Sequence, residues 1–483
     1  MDTRRSVNLA RKACMRCRSQ KRRCDRSIPE CGLCRRRHQT CQYETRVLPP
    51  PSPLSSSPLF NAALPLETVR PGHIKADIVD RLGSTPGVTF STYDQSIHPW
   101  FPILSKAFRN RLPQSWDEVS LDCALLAFCI GLLCTTPHSS SGDESAPSEF
   151  QSRYLQAKSW ISAVEGLGIN SAEIVQARTL VTLFEVAHGF YPAAYISIAA
   201  TARAADALRA YPCTQPSALP TDHVEPEETV LIKYAIRILD RYITIHSGPY
   251  PSLTRSLAEN IDSPKRTFWP SGHEEDAGSA IWRFSRTFEA STLLDNIHNA
   301  LHNPTAERAF NIEEVQLLVE TSNSLRTILA EEVVHADEIY SGAVALCDTG
   351  LLLAYENGSK LQISDEVTAN CHSLGTLFLD SVLTSITDAI SPFVSSPAVQ
   401  AIDLDRLPPF ALFLVYKAAV VVTERVWLAP DSSKEALRKL QVLRGFLSLV
   451  GARWLCCKHY IHLLNEDTTP RTLKAIERQS YLD

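Results

Sequence analysis

Six cysteines between residues 14 and 41 are the side chains of this 483-residue chain whose type and spacing point most directly to chemistry. They are Cys14, Cys17, Cys24, Cys31, Cys34 and Cys41, in the order C-x2-C-x6-C-x6-C-x2-C-x6-C. The last three repeat the first three at an offset of 17 residues, so two C-x2-C-x6-C units lie head to tail. Soft thiolates at this density suit zinc, and a C-x2-C pair lets two sulfurs reach one ion from one turn. Two four-coordinate ions need more bonds than six unshared sulfurs supply. The set closes if one sulfur from each unit bridges both ions. The spacing therefore predicts two Zn(II) per chain, with a residual negative charge offset by the arginines around them. Disulfides would require an oxidising compartment, and the start MDTRRSVNLARKAC has no apolar stretch of a secretory signal. A single zinc with two spare thiols leaves the repeat unexplained.

The elements that must hold these sulfurs are short. Residues 13–43 are too few to bury a hydrophobic core, so metal binding must supply the folding free energy, on the order of 10 kcal/mol per structural zinc. Residues 1–12 read as a basic arm. Residues 1–46 carry 14 Lys and Arg against four Asp and Glu, a net of +10, while the remainder carries a net of −15. A compact basic head on an acidic body is the charge pattern of a chain whose head alone meets a polyanion.

Residues 44–73 are rich in proline and serine and read as a linker. Pro49, Pro50, Pro51, Pro53, Pro58 and Pro65 forbid a coiled coil there, so a dimer must form elsewhere or the protein acts as a monomer. Residues 74–470 read as an all-α body. Helical patterns run over 121–134, 152–167, 172–190, 193–208, 229–248, 279–301, 312–333, 409–427 and 433–465. The segment FSTYDQSIHPWFPIL reads as a loop anchored by its aromatics. Two polar or proline-rich loops are expected at 136–149 and 211–228.

The cysteine pattern resembles that of the fungal binuclear zinc-cluster transcription regulators. The likeness extends to Arg18, Lys21, Arg23, Asp25 and Pro29. It implies that Cys14 and Cys31 bridge the metals, that a short helix follows each C-x2-C, and that the first helix enters the major groove at a CGG triplet. Lys21 matches the base-contacting lysine; Lys12, Arg18 and Arg23 match backbone-contacting positions. Two departures stand out: Gln20 where a basic residue is common, and Arg22 where an aliphatic one is usual. Arg22 either packs along the cluster or reaches DNA. By their own chemistry, Lys21 can donate to guanine N7 and O6, and Arg18, Arg23, Arg35, Arg36 and Arg37 suit phosphates. Residues 154–208 and the Leu239-Asp240-Arg241 followed by Gly248-Pro249 resemble the family's middle homology region, which implies an all-helical regulatory domain.

These readings converge on a small binuclear zinc-cluster domain, a Pro/Ser-rich linker and a large all-α regulatory domain. The expected function is a nuclear, sequence-specific DNA-binding regulator of RNA polymerase II genes. Its partners would be double-stranded DNA, co-regulators or transcription machinery, and a small-molecule effector in the body. The alternative is a zinc-dependent RNA-binding or protein-interaction module. No HExxH, P-loop or nucleophile elbow is found, so an enzyme is not expected. The other eight cysteines read as core residues, with Cys456-Cys457 the one spot for redox sensing. Asp240-Arg241 reads as a buried or capping ion pair. His188 and His246 lie near helix C-termini, where partial negative charge suits them, and both read as structural. Neither Cys123–Cys134 nor Phe410–Val422 suits a membrane span, and no membrane partner is expected.

Overall fold

The computed structural model describes residues 13–20, 22–37, 39–42, 70–137, 149–210, 227–255, 280–332, 340–395, 403–428 and 433–466. The chain forms two units, Met1–Thr68 and Val69–Asp483. Among the described residues every regular element is helical and there is no β-strand.

The first unit contains two five-residue helices, α1 (Met15–Ser19) and α2 (Gly32–Arg36). Each starts at a cysteine whose sulfur takes the place of an N-cap oxygen. Cys14 Sγ accepts from the Cys17 N–H at 3.5 Å, and Cys31 Sγ from the Cys34 N–H at 3.4 Å. Such bonds satisfy amides that a helix start leaves unpaired.

The second unit begins at α3 (Pro71–Asp80) and α4 (Pro86–Ser96), both opened by a proline whose missing N–H costs nothing in a first turn. Residues 71–73, which the sequence assigns to the linker, are therefore helical. There follow α5 (Lys106–Arg109), α6 (Leu121–Cys134), α7 (Glu149–Gly166), α8 (Ala172–Ala187), α9 (Tyr191–Ala210) and α10 (Glu227–Ser247). After these come α11 (Ala280–His302), α12 (Arg308–Glu332), α13 (Gly342–Ser359), α14 (Glu366–Ser395), α15 (Phe410–Leu428), α16 (Ser433–Val450) and α17 (Cys456–Glu466). The expected run 433–465 is two helices, parted around Gly451–Leu455. Most of the two expected loops, and the linker up to residue 69, lie outside the described residues.

Ser120 and Ser171 cap α6 and α8 by accepting from the N–H groups of Cys123 and Ile174. α6 is apolar almost all round and α8 is buried almost all round, with Gln176, Thr179, Thr182 and Glu185 among its buried residues, and α6 packs against α3, α4, α7 and α8. Farther along, α13 is enclosed by α11, α12, α14 and α15. Gly375 of α14 lies against Gly358 and Ser359 of α13; a Cβ there would sit 2.8 Å from the Ser359 nitrogen, so the two backbones meet with no side chain between.

The aromatic segment behaves as the sequence predicts, although its first part is helical. Tyr93 Oη donates to the Phe101 carbonyl at 2.6 Å and accepts from the Ile103 N–H at 3.0 Å. Trp100 Nε1 donates to the carbonyls of Ser96 and Asp405, both at 3.0 Å. Asp240 and Arg241 go separate ways. Asp240 Oδ2 accepts from the N–H and the hydroxyl of Thr254, both at 2.7 Å, which ties the chain after Gly248 back to α10. Arg241 donates to Ser291 at 2.9 Å and Thr292 at 2.8 Å on α11, and its guanidinium lies 4.9 Å from the centre of the Phe288 ring.

His188 and His246 do lie at helix C-termini, but not as cations. Burial holds His246 down at about 3, among Tyr191, Tyr242 and Phe413. Burial, then the charge of Arg453, lowers His188 well below the usual range. The dipole argument for positive charge there is overturned by desolvation.

α14 contains the one helix segment, among the described residues, long and apolar enough to cross a membrane, Glu366–Val394. From the middle of the helix onward one side is core, through Leu379, Val382, Leu383, Ile386 and Ile390 against the bundle.

Candidate metal centre and nucleic-acid interface

The six sulfurs of the first unit gather into two overlapping groups of four. One is Cys14, Cys17, Cys24 and Cys31; the other is Cys14, Cys31, Cys34 and Cys41; within each group the sulfurs all lie within 4.8 Å of one another. Cys14 and Cys31 belong to both. Cys14 Sγ lies 3.8 Å from both Cys31 Sγ and Cys34 Sγ, and Cys17 Sγ lies 3.7 Å from Cys31 Sγ. Zinc bound to four sulfurs at ~2.3 Å in a tetrahedron separates them by about 3.8 Å. The spacing is therefore that of donors around one ion, repeated around a second, and the donor set fits zinc.

Burial and hydrogen bonding sort the sulfurs. Cys14 and Cys31 are fully buried, whereas Cys24 and Cys41 are half-buried at the edge. Burial opposes ionisation of Cys31, but the Cys34 N–H and the thiols of Cys34, Cys17 and Cys24 outweigh it and bring Cys31 to about 6. Cys14 is lowered in the same way, burial being outweighed by the Cys17 N–H and the thiols of Cys17, Cys34 and Cys41. Burial and then the neighbouring thiols push Cys34 up to about 12 and raise Cys17. The two sulfurs common to both groups are thus the two whose surroundings favour the thiolate.

The backbone obeys the same 17-residue repeat as the cysteines. The Arg18 N–H donates to the Cys14 carbonyl and the Arg35 N–H to that of Cys31, both at 3.0 Å. The Arg22 N–H donates to Cys17 at 2.8 Å and the Gln39 N–H to Cys34 at 3.0 Å. At the first residue of each helix the halves use different acceptors. The Met15 N–H reaches the Gln42 carbonyl at 2.8 Å, while the Gly32 N–H reaches both carboxylate oxygens of Asp25 at 2.9 Å. Asp25 is held below the usual carboxylate range by that Gly32 N–H first. Only glycine admits the contact, since a Cβ on residue 32 would lie 2.5 Å from Asp25 Oδ2.

Around this knot the cations face outward. Arg18 on α1, Arg22 and Arg23 in the loop after it, and Arg35, Arg36 and Arg37 at the end of α2 are all exposed. Arg22 thus lies at the surface of the unit. Lys12 and Lys21 lie outside the described residues. Two further exposed arginines, Arg16 within the first C-x2-C and Arg26 after Asp25, were not among the residues selected from the sequence. Their signal was present, since both are cations between the first and fourth cysteines.

The remaining described cysteines belong to the second unit and are free thiols. Burial pushes Cys123 and Cys347 up to about 12 and raises Cys129 and Cys457 as well. A buried thiol held in its neutral form is a packing residue rather than a nucleophile.

Residues 12–49 match the fungal Zn(2)-Cys(6) binuclear cluster domain. The chain is also similar to "Transcription factor BOA15" of Botryotinia fuckeliana (strain B05.10), at 35% identity over 117 residues. That match takes in 24% of this chain and 62% of the relative. The architecture is thus a fungal-type Zn(2)-Cys(6) cluster domain at the amino terminus, followed by an all-helical body.

Proposed function

We propose that this protein is a nuclear, sequence-specific DNA-binding transcription regulator whose first unit holds two Zn(II). The observation that carries the reading is the pair of four-sulfur groups sharing Cys14 and Cys31. Each ion would take two unshared sulfurs, Cys17 and Cys24 or Cys34 and Cys41, and the shared pair would bind both. The metals supply the folding free energy that so small a unit lacks. They fix α1 and α2 rigidly, so the side chains on them meet a duplex in one register.

Lys21 is assigned to guanine N7 and O6 of a CGG-type triplet in the major groove. Lys12, Arg18, Arg22, Arg23, Arg35, Arg36 and Arg37 are assigned to DNA, chiefly to phosphates, and the exposure of the six arginines supports it. Genes read by RNA polymerase II are the targets this reading implies. The helical body is taken as the regulatory part, meeting co-regulators or a small effector, and no catalytic role is proposed. The resemblance to a transcription factor supports this class over an enzyme. An RNA-binding role is less favoured, because zinc modules that read single-stranded bases stack them on exposed aromatics; the interior of the cluster contains no Phe, Tyr or Trp, and Tyr43 follows its last cysteine.

The test is binding of the full chain to CGG-containing duplexes, with zinc content measured on the same preparation. The reading requires two zincs per chain and loss of binding when a chelator removes them. Binding that persists in fully metal-free protein, or equal affinity for single-stranded RNA, would refute it.

A further inference from the structure

The core side chains of α14 lie mainly in its second half, and its first half carries apolar side chains that the bundle covers only in part, Phe378 being stacked on Tyr355 of α13. Val367, Leu374, Leu377 and Phe378 are 51%, 38%, 64% and 42% exposed, and Ile363, just before the helix, is 62% exposed. Positions 367, 374 and 378 are seven and four residues apart and so share one face of the helix, with Leu377 beside them. No Asp, Glu, Lys or Arg occurs between Glu366 and Asp380. The Gly358–Gly375 contact fixes this half of α14 against α13, so the apolar side chains cannot turn inward without parting the two backbones.

We propose that this face is a homodimer interface, covered by the same face of a second copy of the chain. Three observations favour a second copy. A twofold interface brings a surface against itself, so a face used in this way must not carry charge of one sign. Residues 367–379 meet that condition, and Asp380, three residues after Leu377, is paired with Arg425. The other apolar stripe does not: on α12, Phe310, Leu317 and Ile328 are exposed beside exposed Glu313, Glu314 and Glu320. The area suits the centre of such an interface. Fully burying an aliphatic or Phe side chain, worth about 1.5–3 kcal/mol at ~25 cal/mol per Å², removes about 60–120 Å² from water, so five residues about half exposed offer roughly 150–300 Å² of apolar surface. A standard interface buries ~800 Å² per partner, about two-thirds of it apolar in homodimers, so the patch supplies the apolar centre and its surroundings must supply the rest. Finally, charge depletion around an aromatic and several aliphatic side chains is the composition of interface cores. The dimer that the proline-rich linker denies to a coiled coil would form here. The inference does not depend on the metal or the DNA reading.

Sedimentation velocity on the full zinc-loaded chain, without DNA, tests it up to about 50 µM, a range that captures interfaces of standard size. The expected result is a concentration-dependent dimer. Leu377→Glu and, independently, Val367→Lys should each weaken it at least about tenfold, with the helical circular dichroism and melting temperature unchanged. Leu377→Met and the α12 variant Leu317→Glu should leave it intact. Having two charged variants at different turns keeps the test decisive if one of them misfolds. A chain that stays monomeric throughout, or a dimer indifferent to both charged variants, overturns the proposal. Monomers that float with phosphatidylcholine vesicles through Leu377 would overturn it in favour of a lipid surface.

Discussion

Replacing a shared sulfur should do more damage than replacing an unshared one, although each change removes one thiol of six. Cys24→Ala leaves the group Cys14, Cys31, Cys34 and Cys41 whole, with four sulfurs for one ion. Cys14→Ala reduces both groups to three. A structural zinc contributes roughly 10–16 kcal/mol at neutral pH when its tetrahedron is complete, and a site with three sulfurs and a water is far more easily stripped. Cys14 is also the N-cap of α1, so its loss frees the Cys17 amide as well. Full-length wild type, Cys24→Ala and Cys14→Ala are dialysed against a chelator of intermediate affinity, and retained zinc is counted by native mass spectrometry. The expected contents are two, one and none. The reasoning fails if Cys14→Ala keeps one tight ion, or if the two variants lose metal in parallel. Either result would mean that the groups do not share Cys14, whatever the distance between sulfurs.

Gly32→Ala should loosen zinc retention as well, because its Cβ would displace the Asp25 carboxylate from the start of α2; the same chelator dialysis reads this, and retention equal to wild type counts against that contact. Lys21→Ala should cost about 1–3 kcal/mol on cognate duplexes and flatten the preference among triplets, as measured by fluorescence anisotropy. Arg36→Ala should weaken all sequences alike and reduce the slope of log affinity against log salt by about one. Acid should destabilise the helical body through histidines that burial keeps neutral: His246 at about 3 and His98 and His298 at about 4. Their folded values lie below the unfolded one of about 6.5, so the unfolded chain binds more protons between those limits. Their contribution is complete above about pH 6.5 and is lost as pH falls towards 4, at up to about 1.4 kcal/mol per histidine per pH unit. Thermal melts at pH 7 and pH 5 check this, and a melting temperature unchanged by acid would contradict it.

What could be read in advance follows from how local each signal is. The cysteine repeat is local: its ligands lie on one short stretch, and the 17-residue offset reappears in the hydrogen bonds of Arg18 with Arg35 and of Arg22 with Gln39. Helices such as Leu121–Cys134 were legible to the residue, because Ser120 caps the start and the apolar run defines the length. The errors fall where the partner is distant in sequence. Nothing near His246 announces that α9, α15 and α17 will enclose it, so the helix-end argument did not anticipate that burial would keep the ring neutral. Asp240 looked like the partner of its neighbour Arg241, but adjacent residues on a helix point about 100° apart, and each found its own partners on other segments. Gly32 shows the same limit within the cluster itself, since its need to be glycine comes from Asp25 seven residues earlier and not from the turn it begins.

The two units therefore put different demands on an experiment. In the first, metal takes the place of a core, and a substitution is felt through coordination: the question for any residue is which group of four sulfurs it disturbs. In the second, stability is spread over the fifteen α-helices of the described residues, and an exposed change such as Leu377→Glu should be silent in the monomer. A variant that alters DNA affinity with full zinc content, and one that alters self-association with an unchanged melt, separate the two cleanly. If Leu377→Glu also lowered DNA affinity without changing zinc content, the body would be contributing by pairing two heads on one duplex. Tethering two sites can raise avidity by roughly 10²–10⁴ with no new DNA contact. The loss should then be large on paired triplets and absent on a single one, and an equal loss on both would show that the heads bind independently.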